Sequence, residues 1–212
     1  MRPPSQFGDD IGNHPDPAEA DPRMGAMMIY TRLAGRAIIR VVGRCNEAQE
    51  NNKLDLSECE LMQVPDAVYH LMRHTELKSC DLSGNVITKI PPKFAVKFSL
   101  ISALNLSHNQ MSKLPDEIAD LGSLQRLDIS HNTFISLPSA IFKAPKLELL
   151  NASDNHIADV DVEEIKEAPS LIALDLRNNP LTVRCHDQIA QITEIQVDLT
   201  PRQREDWEDL NI

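Results

Sequence analysis

The sequence predicts an α/β solenoid: a horseshoe arc with short parallel strands on its concave face, short helices or 3₁₀ turns on its convex face, and an N-terminal capping helix. Three observations lead to this prediction. An apolar pattern recurs at a nearly constant spacing, a proline-containing segment follows most copies, and an amphipathic segment precedes the first copy. Self-similarity at a fixed period of about 20 to 50 residues is typical of solenoids.

The pattern occurs six times within residues 51–183, with apolar residues at positions 1, 4, 6 and 11 in five copies. The first copy is degenerate and has Asn51 at position 1. Position 4 recurs at steps of 26, 24, 23, 23 and 24 residues, and its residues are Leu54, Cys80, Leu104, Leu127, Leu150 and Leu174. Positions 4 and 6 alternate with polar positions 5 and 7, which is the period of a half-buried strand. Each strand is too short to stand alone, so we expect the repeats to pair as one parallel sheet.

Position 9 is where each copy turns out of its strand, and five copies place asparagine there. An asparagine side chain can donate to backbone carbonyls and accept from backbone N–H groups of such a turn. We expect one buried structural ladder, formed by Asn85, Asn109, Asn132, Asn155 and Asn179. The first copy has Cys59 instead, which is a weaker hydrogen-bonding group.

Proline stands at position 15 in the first four copies, as Pro65, Pro91, Pro115 and Pro138. The fixed φ of proline suits the first residue of a short helix or 3₁₀ turn, so we expect such elements to begin there. Together, the LxxLxLxxNxL pattern, the 23- or 24-residue period and the Leu-Pro-x-x-Ile segment resemble the intracellular type of the leucine-rich repeat family.

The resemblance implies a non-enzymatic module that binds a protein partner on its concave sheet face. It further implies a scaffold or adaptor in the cytoplasm, with the regulation of a signalling enzyme as the most specific role. The sequence itself contains no Gly-rich phosphate loop, GxSxG elbow or HExxH motif. We therefore expect no enzyme activity, cofactor or metal.

Residues 27–50 predict an amphipathic N-terminal capping helix, and their net charge is positive although the chain carries −11. Val41 and Cys45 lie on its apolar face, and arginines recur every four residues at Arg32, Arg36, Arg40 and Arg44. A second interpretation remains open, in which residues 28–50 direct the protein to mitochondria or to a membrane surface. Translation from Met27 or Met28 rather than Met1 would favour it. Residues 1–26 are acidic and proline-rich, which predicts a disordered leader.

Residues 184–212 predict a C-terminal cap and an acidic tail. Ile192, Ile195 and Val197 repeat the strand frame, with Ile195 at position 4, and a turn or helix over residues 186–191 would lead to this strand. Two interpretations remain open for the tail from residue 201 to residue 212. It folds back as a short helix with Trp207 over the open end, or it is a free acidic-aromatic peptide that a partner binds.

Composition excludes several classes of protein. A net charge of −11 disfavours nucleic-acid binding, which needs a basic surface. No run approaches the roughly 20 apolar residues of a membrane-spanning helix. The four cysteines form no CxxC pair, which fits a reducing compartment. We expect a cytoplasmic monomer.

The concave face holds the candidate partner-binding residues. They are Asp55, Asp81, Asn105, Asp128, Asn151 and Asp175 at position 5, His108 and His131 at position 8, and Arg126 and Arg177. Positions 3, 5, 7 and 8 together hold six acids and three bases, which favours a partner with a basic helix or strand. The alternative to partner binding is that the position-5 aspartates form hydrogen bonds along their own row of the sheet. His108, His131 and Asp154 form a straight row that does not close into a tetrahedral metal site.

Overall fold

The computed structural model describes residues 22–201, with side chains described from residue 37 onward. Contacts divide the chain into two units, residues 1–36 and residues 37–212. The predictions for the leader before residue 22 and for the tail around Trp207 lie outside the described residues.

Helix α1 spans Pro22–Asn51, so it begins five residues before the predicted start of the capping helix. From Ala37 onward its buried side chains are Val41, Cys45 and Ala48, whose spacing of four and three residues places them on one helix face. This face joins the apolar core of the first repeat.

Seven parallel strands form a single sheet in chain order, which confirms the predicted α/β solenoid. The strands are β1 (Lys53–Asp55), β2 (Ser79–Asp81), β3 (Ala103–Asn105), β4 (Arg126–Asp128), β5 (Leu149–Asn151), β6 (Ala173–Asp175) and β7 (Gln196–Asp198). Position 4 pairs with position 4 at every step from Leu54 to Leu174. Position 5 is therefore also in register, which lines its side chains up in one row.

Short helices return the chain on the convex side. They are α2 (Asp66–Leu71), α3 (Lys93–Lys97), a 3₁₀ helix (Asp116–Asp120), α4 (Ser139–Phe142), α5 (Val162–Glu167) and α6 (Val183–Ile189). The prediction that the position-15 proline is the first helical residue was wrong by one residue in three repeats and by two residues at Pro91, where Pro92 is the N-cap of α3. Pro65, Pro115 and Pro138 keep extended ψ values and precede their helices as N-caps. In repeat 5 Asp161 takes this place and accepts the N–H of Glu163 at 3.0 Å.

The seventh strand lies two residues later than the sequence predicted. Leu174 pairs with Val197, not with Ile195. Helix α6 is seven residues long and begins after Thr182, whose side chain accepts the N–H of Cys185 at 3.2 Å. The chain therefore reaches the sheet late, and Ile192 and Ile195 are buried ahead of the strand instead of on it.

Candidate protein-binding face

The position-5 side chains each close a small turn within their own repeat. In every repeat the side-chain Oδ1 accepts the backbone N–H of position 7, at 2.8 to 3.1 Å. The six donors are the residues Ser57, Ser83, Ser107, Ser130, Ser153 and Arg177. This Asx turn fixes the direction of each position-5 side chain on the concave face.

The same row is also bonded between repeats in two pairs, because aspartate and asparagine alternate along it from Asp81 to Asp175. The Nδ2 atom of Asn105 donates to Oδ2 of Asp81 at 3.1 Å, and Nδ2 of Asn151 donates to Oδ2 of Asp128 at 3.0 Å. The hydroxyls of the following serines occupy the Oδ1 atoms of both aspartates. Most of the hydrogen-bonding capacity of Asp81 and Asp128 is therefore used within the sheet.

The two outer aspartates pair with arginine. Nη1 of Arg44 lies 3.1 Å from Oδ1 of Asp55, and Nη2 of Arg177 lies 2.6 Å from Oδ2 of Asp175. Burial alone would raise the pKa of Asp55, but its hydrogen bonds with Ser57 and the charge of Arg44 hold this pKa below its usual value. Burial likewise opposes ionisation of Asp175, and the hydrogen bonds and charge of Arg177 again lower the pKa. Both arginines are thus already engaged in an ion pair within the chain, although the side chain of Arg177 is still 58% exposed.

The centre of the concave face is a shallow depression of about 300 Å³. Small side chains at position 3, Ser79 and Ala103, leave it open, and the larger Arg126 and Leu149 at the same position border it. Leu149 is 41% exposed, and Arg126 is exposed and makes no ion pair within the described part of the chain. These two side chains remain available for contact with another molecule.

A row of position-8 residues borders the concave face. The rings of His108 and His131 stack with centroids 4.0 Å apart and planes 12° from parallel. Nε2 of His131 lies 3.5 Å from Oδ2 of Asp154, whose Oδ1 accepts from Asn178 at 3.0 Å. Between residues 37 and 201 no three His, Cys, Asp or Glu side chains are grouped to hold a metal ion.

The backbone at position 8 is left-handed in all six repeats, which sequence reasoning did not detect. Its φ values lie between 51° and 65° at Glu58, Gly84, His108, His131, Asp154 and Asn178. Position 8 is glycine, aspartate or asparagine in three of the repeats, at Gly84, Asp154 and Asn178. These residue types tolerate a left-handed backbone, so they could have indicated it from the sequence. The turn aims position 8 along the rim, which brings the two histidine rings together.

The asparagines at position 9 bond adjacent repeats behind this face. Oδ1 of Asn132 accepts the N–H of Met111 at 2.9 Å, and its Nδ2 lies 2.9 to 3.1 Å from the carbonyl oxygens of Leu106, Ile129 and Ser130. Corresponding bonds are made by Asn85, Asn109, Asn155 and Asn179. The amide of Asn85 also accepts the N–H of Cys59 at 3.0 Å.

Helix α1 supplies donors to the outer edge of the sheet, a second feature that sequence reasoning missed. Nη1 of Arg44 lies 3.2 Å from the carbonyl oxygen of Asp55 and 2.6 Å from that of Ser57. Nη1 of Arg40 lies 3.0 Å from the carbonyl oxygen of Glu58. Among the residues that the structure describes, no strand precedes β1 in the sheet, so these side chains satisfy carbonyls that would otherwise face solvent.

The thiols contribute no reactive group. All four cysteines are free and buried. Burial raises the pKa of Cys45 and of Cys185 to about 11 and raises the pKa of Cys59 and Cys80 as well. A thiol held protonated in this way is a poor nucleophile and a poor metal ligand. Within the described residues, no helix has the length and apolar character needed to cross a membrane.

Comparisons with known proteins agree with this architecture. The family described as "Leucine rich repeat" matches residues 75–134 and 123–181. The mouse (Mus musculus) protein "Leucine-rich repeat-containing protein 20" is 41% identical over 155 residues, which cover 71% of this chain and 84% of the mouse protein. The human (Homo sapiens) protein of the same name is 34% identical over 95 residues, 43% of this chain and 52% of the human protein.

A leucine-rich repeat protein of Leptospira interrogans is similar among solved structures. It superimposes with a TM-score of 0.61 at 28% sequence identity, over 69% of this chain. The match covers 36% of the Leptospira chain, so this chain spans about a third of that structure.

Proposed function

The chain belongs to the leucine-rich repeat family, and from this premise we propose that it binds a protein partner in the concave depression at Arg126 and Leu149. Leucine-rich repeat proteins are generally protein–protein interaction modules, and the family is typically non-enzymatic. The finer proposal is an intracellular scaffold or adaptor, with the regulation of a signalling enzyme as its most specific form.

The free guanidinium of Arg126 beside exposed Leu149 carries the proposal. Asp81 and Asp128 have most of their acceptor capacity filled by serine and asparagine, whereas Arg126 makes no ion pair within residues 37–201. A partner that places an acidic group on Arg126 and an apolar group on Leu149 gains both contacts without breaking any hydrogen bond of the sheet. The charge of Asp81 and Asp128 still attracts a basic segment. A partner with a basic helix or strand is therefore the competing form of the proposal.

Partner capture with matched surface variants tests the site. Wild type is compared with Arg126→Glu/Leu149→Arg in the depression and with Asp81→Lys/Asp128→Lys in the carboxylate row. The convex variant Val96→Arg is the control, because Val96 is 71% exposed on α3, on the other side of the repeat. Circular dichroism and unfolding midpoints establish that each variant is folded.

The proposal expects a partner that binds wild type and Val96→Arg and is lost with Arg126→Glu/Leu149→Arg. Loss with Asp81→Lys/Asp128→Lys alone assigns the face to a basic partner instead. If both concave variants retain every partner that Val96→Arg retains, the concave face is not the binding surface and the proposal fails.

We propose the cytoplasm as the compartment. Four free, buried cysteines support this, because thiols persist in reducing surroundings. The proposal expects full-length protein labelled at its C-terminus to fractionate with the cytosol, and exclusive recovery in an organelle contradicts it.

A second candidate is targeting by helix α1 to mitochondria or to a membrane surface. Ile38 and Ile39 favour it, since they are 64% and 74% exposed on this helix. The contacts of Arg40 and Arg44 with the carbonyl oxygens of Glu58 and Ser57, just after β1, support the capping role instead. Reporter fusions of residues 1–50 and 27–50 separate the two, and diffuse cytosolic signal from both removes the targeting candidate.

A further inference from the structure

The apolar core is covered unevenly at its last strand. Residues at positions 4 and 6 of the first six repeats are at most 2% exposed, from Leu54 and Leu56 to Leu174 and Leu176. Their counterparts in the seventh strand, Val197 and Leu199, are only partly buried. Nothing within the described residues packs as an eighth strand on β7. The C-terminal end of the core is therefore open in the described part of the chain.

The backbone of β7 is also unpaired on this side. In each of the six repeats the N–H of position 6 donates to the carbonyl of position 5 in the next repeat, at 2.8 to 2.9 Å, ending with Leu176 to Asp198. Leu199 occupies position 6 of the seventh strand, and no further strand follows it among the described residues. Position 8 is Pro201, which has no N–H to satisfy. Each earlier repeat also bonds its position-2 carbonyl to an N–H of the next repeat, and the counterpart here is the carbonyl of Ile195. The outward backbone groups of the seventh strand therefore belong to Ile195, Val197 and Leu199.

The opposite end of the sheet has a dedicated cover. Helix α1 buries Val41, Cys45 and Ala48 against the first repeat, and Arg44 bonds the outward carbonyls of β1. A solenoid needs such a cover at both ends, because each terminal repeat exposes apolar cross-section. The C-terminal cover must combine apolar groups with groups that bond an N–H and a carbonyl.

We propose that residues 202–212 of the same chain cover β7, with Trp207 and Leu210 packed on Val197 and Leu199. The segment combines these two apolar residues with carboxylates and arginines that can bond the outward N–H and carbonyl groups. Trp207 follows Pro201 by six residues, a span of about 20 Å when extended, which suffices to return across a three-residue strand.

A second copy of the chain is the competing occupant. The attached segment has the advantage, since its effective concentration at β7 is on the order of millimolar. Two copies that each carry −11 also repel one another. The inference is independent of the concave face and goes beyond the proposed function.

The experiment uses the fluorescence of Trp207, which is the single tryptophan of the chain. In full-length protein we expect emission shifted to the blue of the urea-unfolded chain and weak quenching by acrylamide. The variant Leu199→Ser shifts the emission to the red and increases quenching. Leu149→Ser is the matched control, since it removes an exposed leucine from the concave face without touching β7, and it leaves the emission unchanged.

Hydrogen exchange provides a readout that does not depend on altering the sheet. The double variant Trp207→Ala/Leu210→Ala changes the tail alone, and we expect the Leu199 amide to exchange about tenfold faster than in wild type. The proposal is overturned if two results occur together. The first is that wild-type protein emits like the urea-unfolded chain, and the second is that the tail variant leaves the exchange rate of the Leu199 amide unchanged. Blue-shifted emission that appears only together with a doubled mass in sedimentation overturns it in favour of a second copy.

Discussion

A guanidinium nitrogen of Arg44 lies 2.6 Å from the carbonyl oxygen of Ser57 and so takes the place of a backbone N–H. In the next repeat the equivalent carbonyl, that of Ser83, accepts the N–H of Glu58 at 2.9 Å. The same nitrogen lies 3.2 Å from the carbonyl of Asp55, whose equivalent at Asp81 accepts the N–H of Leu56. One side chain thus takes the place of two backbone donors that a strand before β1 would supply, where the described part of the chain has no such strand.

Replacing Arg44 by alanine should lower the free energy of unfolding by about 2 kcal/mol, because two carbonyls of β1 lose their donor. Urea unfolding followed by circular dichroism measures the change. Lys113→Ala is the control, since Lys113 is exposed and makes no ion pair within the described residues. Equal midpoints for the two variants would show that α1 caps the sheet without this contact.

Replacing Asn132 by leucine should lower the free energy of unfolding by about 3 kcal/mol. The buried amide bonds four backbone groups of two repeats, and an apolar side chain leaves the Met111 N–H without an acceptor. It also removes one donor from the carbonyls of Leu106, Ile129 and Ser130, which keep their bonds to neighbouring repeats or to their own turn. Calorimetry or urea titration measures the loss, with exposed Gln110→Ala as the control. A loss no larger than that of Gln110→Ala would contradict the structural role of the ladder.

Replacing Gly84 by alanine should destabilise the fold by about 1 kcal/mol, because φ is +65° there and L-residues resist this conformation. A β-carbon at Gly84 would also lie 3.0 Å from Cγ of Glu58. The double variant Gly84→Ala/Glu58→Ala should recover part of the loss, since it relieves the contact but not the backbone strain. A full recovery would assign the whole effect to Glu58.

Replacing Arg177 by glutamine should reduce stability at neutral pH but not in acid. Arg177 helps to hold the pKa of Asp175 below its usual value, so the stabilisation is complete above about pH 5, where the unfolded carboxyl is ionised, and is lost as the pH falls through the folded-state pKa. Urea midpoints of wild type and variant should therefore converge as the pH falls below the usual pKa range of an aspartate. Arg184→Gln, at an exposed arginine with no ion pair in the described part, should show no such pH dependence.

The repeat and its sheet could be predicted because period and hydrogen-bonding capacity constrain them locally. Alternation at positions 4 to 7 specifies a strand too short to exist alone, and the spacing of Cys80, Leu104 and Leu127 leaves one register. The seventh strand was misplaced because Ile192, Ile195 and Val197 fit more than one frame. The length of α6, which depends on its cap at Thr182, decides between the frames.

The contacts of the candidate site were harder to predict. An arginine every four residues on a helix has the same pattern whether it faces solvent or bonds a strand edge, so Arg44 gave no signal of its contact. The availability of Arg126 and the internal bonding of Asp81 depend on which groups neighbouring repeats bring together. The stacking of His108 on His131 needs a left-handed backbone that histidine does not itself indicate.

Between Asp81 and Asp175, the alternation of aspartate and asparagine at position 5 makes two repeats, rather than one, the unit by which this stretch of the sheet can grow or shrink. Asn105 donates back to Asp81, and Asn151 donates back to Asp128. The position-4 residues of the second, fourth and sixth repeats, Cys80, Leu127 and Leu174, are 47 residues apart at both steps. Excising or duplicating a 47-residue block would keep every donor opposite its acceptor, whereas a change by one repeat would set asparagine beside asparagine or aspartate beside aspartate.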